Sequence, residues 1–409
     1  MSQWAPLRIG DIGELFDGPH ATPKSKGKVS TDYIFLSISS LENGRLNLKE
    51  SPSISEEDYL SWTRRVTPRA QDLVFSYETR LGEGALIPAG LTCCLGRRMA
   101  LLRPNQKVIE PRFLLYLFLG PKFQQTIAER TIHGSTVNRI ALNDFPDFPI
   151  LLPDITEQRR IAGVLGALDD KIESNLRVRN LCRDLGGNLV ADTVRSAPST
   201  QLEHYAASIS RGVTPRYYKD EDASPVLVLN QKCIRDGWVT PELARLMIPR
   251  SREKSQAIAR LDDLLVNSTG QGTLGRVARW DSDDPIYVDS HVTVVKADPR
   301  RIYPVLMPYL VFPLQDEIEH MATGSTGQTE LSPSRLAQLN VPLLSLEEQR
   351  PLSARLVALE AQAHYCQVQS LKLTELRDAL LPELMSGRMR VDEAGCLVSE
   401  ALDEEVRSV

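Results

Sequence analysis

The chain has 409 residues, 42% apolar and 25% charged, too long for one ordinary core and too apolar for disorder; two or three domains are expected. Its longest unbroken apolar run, 113–119, falls far short of the roughly 20 residues that span a bilayer. The N-terminus has no basic segment followed by an apolar one, so a cytosolic protein with no membrane partner is expected. The net charge is −5, yet residues 391–409 alone hold six acids (Asp392, Glu393, Glu400, Asp403, Glu404, Glu405) against Arg407. The rest is neutral overall, and phosphate binding stays open.

In chain order, short apolar runs bounded by turn residues predict strands at 33–38 and 72–75, then helices around 112–118 and 123–130. A long helix follows, opened by the capping-box pattern Asp154-x-x-Glu157 and running over 156–194, roughly 58 Å. The same series then returns: strands at 227–229, 264–266 and 292–295, helices around 306–312 and 315–321, and a second box at Ser345-x-x-Glu348. The period is about 191 residues. Asp72-Leu73-Val74 recurs as Asp263-Leu264-Leu265, each followed by a glycine twelve residues after its Asp (Gly84, Gly275). Thr22-Pro23 recurs as Thr214-Pro215, Gly134-Ser135-Thr136 as Gly324-Ser325-Thr326, and Glu157-Gln158-Arg159 as Glu348-Gln349-Arg350. Such ordered anchors mark a duplicated domain.

Each long helix carries an apolar stripe at alternating steps of four and three. The first reads Ile161, Leu165, Leu168, Ile172, Asn175, Arg179, Cys182, Gly186, Leu189; the second, Leu352, Leu356, Leu359, Ala363, Cys366, Ser370, Leu373, Arg377, Leu380, Leu384. This 3.5-residue period predicts a coiled coil between them, with a seam weakened at Asn175, Arg179 and Ser370. The expected fold class is α/β: two repeated globules, 1–153 and 197–344, with long helices at 154–196 and 345–391 pairing as an antiparallel coiled coil of pseudo-two-fold symmetry. An acidic tail covers 392–409.

Enzymatic signatures are missing. The sequence has no P-loop, no dinucleotide fingerprint and no Asn/Asp-Pro-Pro-Tyr of amino-methyltransferases. Gly82, Gly84, Gly270, Gly272 and Gly275 suit hairpins. Asp154 with Asp169-Asp170-Lys171 imitates a nuclease motif, but on a long helix those acids read as solvated charges off the seam. The histidines share no repeat position, and the six cysteines have no zinc-ligand spacing, so reduced thiols and no metal are expected. A non-catalytic chain that binds no cofactor of its own follows.

The residues Phe148-Pro149-Ile150-Leu151-Leu152-Pro153-Asp154-Ile155-Thr156-Glu157-Gln158-Arg159-Arg160-Ile161-Ala162, the paired Gly-Ser-Thr turns, and the close Leu380-Leu381-Pro382-Glu383-Leu384-Met385-Ser386-Gly387-Arg388-Met389-Arg390-Val391 resemble the specificity subunit of type I restriction-modification systems. The resemblance covers about residues 5–391. It departs at Pro351, which stands where the first helix has Arg160, a position in the first turn that tolerates proline. The resemblance implies two target-recognition domains, each reading half of a bipartite target on double-stranded DNA. It implies spacer helices that set the gap and dock two modification (methyltransferase) subunits carrying S-adenosylmethionine, with restriction subunits joining them. Exposed Leu176, Val178, Leu181, Val368 and Leu371 would lie under those partners.

Residue types that read base edges or hold phosphate select the DNA-binding candidates. In the first globule they are Lys24, Lys26, Lys28, Tyr77, Arg80, Ser135, Thr136 and Asn138. In the second they are Arg216, Tyr217, Tyr218, Lys219, Asn267, Ser268, Thr269, Gln271, Ser325, Thr326 and Gln328. Two other readings stay open: a coiled-coil scaffold for another ligand, and a self-contained methyltransferase or nuclease with an unrecognised site.

Overall fold

The computed structural model describes residues 4–134, 137–217, 224–249, 255–323 and 329–403, without the side chains of Glu50, Ser255 and Asp403. Two 40-residue helices dominate it, Ile155–Val194 and Leu346–Met385. The chain divides into two compact units. Unit 1 is Met1–Glu173 with Ser370–Val409, and unit 2 is Ser174–Gln369. The long helices are therefore not separate modules, because each unit absorbs half of each.

Shared cores explain this. In unit 1, Ile161, Leu165, Leu168 and Ile172 from the start of the first helix join Leu373, Leu380 and Leu384 from the end of the second in one cluster with Phe113, Phe118 and Phe145. In unit 2 the ends exchange roles, and Val190 shares a cluster with Leu352, Leu356, Leu306 and Tyr309. The beginning of one helix thus packs on the end of the other, an antiparallel pair. Every seam position predicted from the period is buried or half-buried, including the polar ones: Asn175, Arg179 and Ser370 are each under 10% exposed.

Both globules contain the same four-stranded antiparallel sheet. In unit 1 it comprises β1 (Gly13–Asp17), β2 (Leu73–Ser76), β3 (Gly84–Leu86) and β4 (Met99–Pro104), in the order β1-β4-β2-β3. In unit 2 it comprises β5 (Ala206–Arg211), β6 (Leu264–Asn267), β7 (Val277–Arg279) and β8 (Val292–Ala297), in the order β5-β8-β6-β7. Leu73 faces Leu102 in the first and Leu264 faces Val295 in the second. Their central strands are buried on both faces, which is why they read as unbroken apolar runs. A parallel pair accompanies each sheet: Ile34–Leu36 with Cys93–Leu95, and Val226–Leu229 with Ile286–Val288. Unit 2 widens its pair with two further strands, Arg245–Met247 and Ile258–Ala259.

The C-terminal segment departs from the expected tail. Val391–Asp403 is a helix, and its Val391, Ala394 and Val398 enter the unit 1 core. Asp392, Glu393 and Glu400 line its outer face while small and apolar residues at helical spacing face inward.

Candidate nucleic-acid interface

Each globule is held to its long helices by the same parts. The Gln of the repeated Glu-Gln-Arg element is the first. Gln158 is buried; its Oε1 accepts from the Glu110 backbone N–H at 3.0 Å, and its Nε2 donates to the Val108 and Pro153 carbonyls at 3.1 and 3.0 Å. Gln349 repeats this with the Tyr303 N–H (3.1 Å) and the Arg301 and Leu344 carbonyls (3.0 and 2.9 Å). The motif is a splice between helix and globule.

A tyrosine supplies the second tie. Tyr116 Oη donates to Asp169 Oδ2 at 2.6 Å, and Tyr309 Oη to Glu360 Oε1 at 2.6 Å. Burial first, then the facing carboxylate, raises both phenols well above their ordinary range. Gly186, a seam position, makes this approach possible in unit 2, because a Cβ there would lie 2.7 Å from the Tyr309 ring. A hairpin completes each junction. Asn43-Gly44 and Asp236-Gly237 turn with both residues at positive φ, the two-residue turn that matches strand twist. From the first hairpin Arg45 donates to the Asp169 carbonyl at 2.7 Å; at the second, Arg183 donates to the Gly237 carbonyl at 2.7 Å.

These contacts correct the expectation of solvated charge for Asp169, whose side chain is 19% exposed, and not for Asp170, which is 58% exposed. Asp169 accepts from Tyr116 and, at 3.0 Å, from Arg377, while Asp170 pairs with Arg112. Of the nuclease-like acids, Asp169 builds the junction. Among the described residues no group of three His, Cys, Asp or Glu is placed to hold a metal. No described helix is long and apolar enough to cross a membrane.

In unit 1 the candidate residues divide between exposed turns and the core. Lys24, Lys26 and Lys28 are exposed on a turn tied to the helix Glu56–Trp62: the Ser25 N–H donates to Asp58 at 2.9 Å, and the Ser55 N–H to Ser25 Oγ at 2.8 Å. Lys26 Nζ lies 5.3 Å from the Phe35 ring centroid. Tyr77 sits in the core, its hydroxyl 3.4 Å from His20 Nδ1, and burial followed by Asp17 pushes its phenol up. Its ring serves the fold. Arg80 is engaged within the unit, donating to the Ile38 carbonyl and Glu83 at 3.1 Å each. Asn138 is exposed, and its carbonyl accepts from the Thr79 N–H at 3.4 Å. Thr79 and Arg98 both adopt the left-handed region (φ 69° and 71°), and Arg98 donates to Thr79 Oγ1 at 3.2 Å. Non-glycine residues held there store strain at the ends of β2 and β4. Ser135 and Thr136 lie outside the described residues.

In unit 2 Arg216 is exposed, and Tyr217 lies under the Arg245 guanidinium, 3.7 Å from its ring centroid. Asn267 and Ser268, candidates for base contact by residue type, are fully buried at the end of β6. Asn267 Nδ2 donates to the Gln231 and Thr273 carbonyls at 2.9 and 3.0 Å, and Ser268 shares a 2.6 Å hydrogen bond with Thr293. They shape the turn that presents Thr269 and Gln271. Thr269 is half-buried against His291 (2.7 Å), and Gln271 is exposed. Tyr218, Lys219, Ser325, Thr326 and Gln328 lie outside the described residues.

Sequence reasoning missed Trp62, Arg64 and Arg65. They line a cleft of about 420 Å³ together with His20. Adjacent arginines in a stretch without carboxylates were the available signal.

Two α/β units of like topology, each holding part of both long helices, define a duplicated chain. Residues 1–180 match the family model of the type I restriction modification DNA specificity domain. The chain is 21% identical to the putative type I restriction enzyme MjaX specificity subunit of Methanocaldococcus jannaschii, over 95% of this chain and 94% of that protein. Its fold is similar to the crystal structure of the type I restriction-modification system S subunit from M. genitalium, with a TM-score of 0.55 and 15% identity, covering 94% of this chain and 96% of that one. Residues 1–180 are thus similar to a type I restriction-modification DNA specificity domain, and over 94% of its length the chain is similar in fold to a specificity subunit.

Proposed function

We propose that this chain is the DNA specificity subunit of a type I restriction-modification complex. Unit 1 reads one half of a bipartite target on double-stranded DNA and unit 2 the other. The long helices, about 60 Å each at 1.5 Å per residue, fix the unread gap. They dock two modification subunits, which restriction subunits join in the full complex. The chain does no chemistry itself on this reading; S-adenosylmethionine and adenine methylation belong to the modification subunits. The supporting observation is the duplicated junction, with equivalent Gln and Tyr ties in both units, since a partner present in two copies suits two like docking frames. Leu176, Leu181, Leu185 and Val368 in unit 2, and Leu371 in unit 1, remain exposed as contacts for such partners, while Val178 is half-buried.

Mapping methylated adenines in a host that expresses the chain with its modification subunit tests this. The expected result is one bipartite motif with a constant gap. Inserting four residues near Asn175, where the seam is polar, adds about 6 Å of helix as a stutter that locally unwinds the supercoil. The gap then lengthens by about one or two base pairs while both half-sites keep their bases. An active variant with an unchanged gap, or with altered half-site bases, overturns the ruler.

A further inference from the structure

We propose that unit 1 carries a phosphate-binding cleft for the DNA backbone, formed by Arg64, Arg65 and His20 over Trp62. The inference rests on the DNA-reading role proposed above and adds a site outside the base-reading candidates. The cleft, about 420 Å³, opens between residues 19–21 and 61–65. Arg64 and Arg65 are exposed and form no ion pair among the described residues, unlike Arg80, Arg98 and Arg103 of the same unit, which are paired with Glu83, Glu78 and Asp72. Segments 18–31 and 60–70 contain no Asp or Glu, and between them they supply Lys24, Lys26, Lys28, Arg64, Arg65 and Arg69.

The frame around the cleft is fixed at several points. Trp62 Nε1 donates to the Ala21 carbonyl at 3.4 Å, and Ser25 is bound to Asp58 and Ser55 as described, so residues 21–28 are tied along the helix Glu56–Trp62 at both ends. The nearest acid on that helix, Asp58, is occupied by Ser25, whose side-chain and backbone hydrogen bonds hold its carboxyl below the ordinary range. His20 is held by Asp17 (3.0 Å) on one ring nitrogen and Tyr77 (3.4 Å) on the other, which fixes the imidazole as a wall. Trp62 packs against the small cluster of Phe35, Ile54 and Cys94 and gives the cleft an apolar floor.

Unpaired guanidiniums present forked donors that match phosphate oxygens, and an anchored frame lets them bind with little ordering cost. The C-terminal end of the helix Glu56–Trp62 disfavours an anion, but its partial charge of about half an electron is small beside two full guanidinium charges. The chemistry is that of the sugar-phosphate backbone: cationic forks over an apolar floor, with the Ser61 hydroxyl as the one small polar group beside them. Unit 2 differs in charge at the matching stretch, where Asp220, Glu221 and Asp222 follow Thr214-Pro215.

The test uses the full chain in complex with its modification subunit and fluorescent duplexes, one with the mapped target and one scrambled, between about 50 and 200 mM salt. The Arg64→Ala/Arg65→Ala variant should bind both duplexes on the order of tenfold more weakly, leave their ratio unchanged, and lower the salt slope by about two. Arg64→Lys/Arg65→Lys should keep the slope and lose only part of the affinity. A loss confined to the target duplex overturns the backbone assignment in favour of base reading. Unchanged affinity and slope overturn the site. A wild-type complex that binds both duplexes alike overturns the specificity role instead, and the variant's salt slope still reads the cleft.

Discussion

In unit 1 the tyrosine–carboxylate tie lies near the surface, and in unit 2 it lies in the core. Asp169 and its partners Arg377 and Arg45 keep 19%, 21% and 33% of their side chains exposed. Glu360, Arg279 and Arg183 keep 3%, 6% and 12%. Around Glu360, Arg279 donates at 2.8 Å and Arg183 lies 3.8 Å away, while Arg179 and Arg183 stack on Trp238, each 3.7 Å from its ring centroid. Burial lowers the Arg179 pKa to about 10 and lowers that of Arg183. For Arg279 burial works in the same direction but is outweighed by Glu360 and Asp262, and its pKa is raised. Water can replace a lost partner in unit 1; in unit 2 it cannot. The same topological solution therefore carries different energetic weight in the two halves.

The largest expected effect follows from that depth. Glu360→Gln leaves Arg279 and Arg183 buried beside a neutral amide and should destabilise unit 2 by about 3–5 kcal/mol. Asp169→Asn, with solvent close by, should cost unit 1 only about 1–3 kcal/mol. Hydrogen exchange followed by mass spectrometry on the intact chain reads each unit through its own peptides. Equal losses would break the contrast of surface and core.

What was legible in the sequence tracks what is local or periodic. The repeat, both long helices, the seam and the central strands follow from spacing alone, and the seam includes its polar members. The job of Gln158 and Gln349 was not legible, because their partners, Val108 and Glu110 or Arg301 and Tyr303, lie some 50 residues away and carry no pattern. The arginines of the junctions come from different elements in the two units, the second helix and a hairpin in one, the first helix and β7 in the other, so the repeat could not align them. Asn267 and Ser268 follow the strand expected at 264–266 and were candidates by residue type alone, yet the strand continues through Asn267 and both are buried. Of the candidates, Lys24, Lys26, Lys28, Asn138, Arg216 and Gln271 are exposed among the described residues.

The next effect sharpens the comparison by removing depth from it. Gln158 and Gln349 are equally buried and make equivalent sets of hydrogen bonds. Gln158→Ala and Gln349→Ala each orphan a backbone N–H and should cost about 1–3 kcal/mol, and the two losses should agree. Urea titration of each variant checks this. A difference as large as that between the carboxylate variants would mean that the units differ in general tolerance, and the depth of the ion pairs would lose its explanatory role.

The smallest effect concerns the helix starts, where the two units again differ in kind. At Ser345 the capping box is reciprocal: Ser345 Oγ accepts from the Glu348 N–H at 3.3 Å, and Glu348 Oε2 accepts from the Ser345 N–H at 2.8 Å. At Asp154 the cap is one-sided. Its Oδ1 accepts from the Thr156 and Glu157 N–H groups at 2.9 and 3.0 Å, while Glu157 turns away to Arg160 at 3.0 Å. Either cap removed to alanine should cost about 1 kcal/mol. The boxes separate with pH. Hydrogen bonds from the Ser345 hydroxyl and then its backbone N–H hold the Glu348 carboxyl below the ordinary glutamate value. A carboxylate whose folded pKa is depressed stabilises fully above its unfolded pKa of about 4.3 and loses that contribution as pH falls through the folded value. The stability gap between the wild-type chain and Glu348→Gln should therefore be constant above about pH 5 and close as the pH is lowered toward 3. Thermal melts across that range measure it. A gap that stayed constant to pH 3 would show that Glu348 contributes by packing alone, and the reciprocal box would then be no stronger than the one-sided cap.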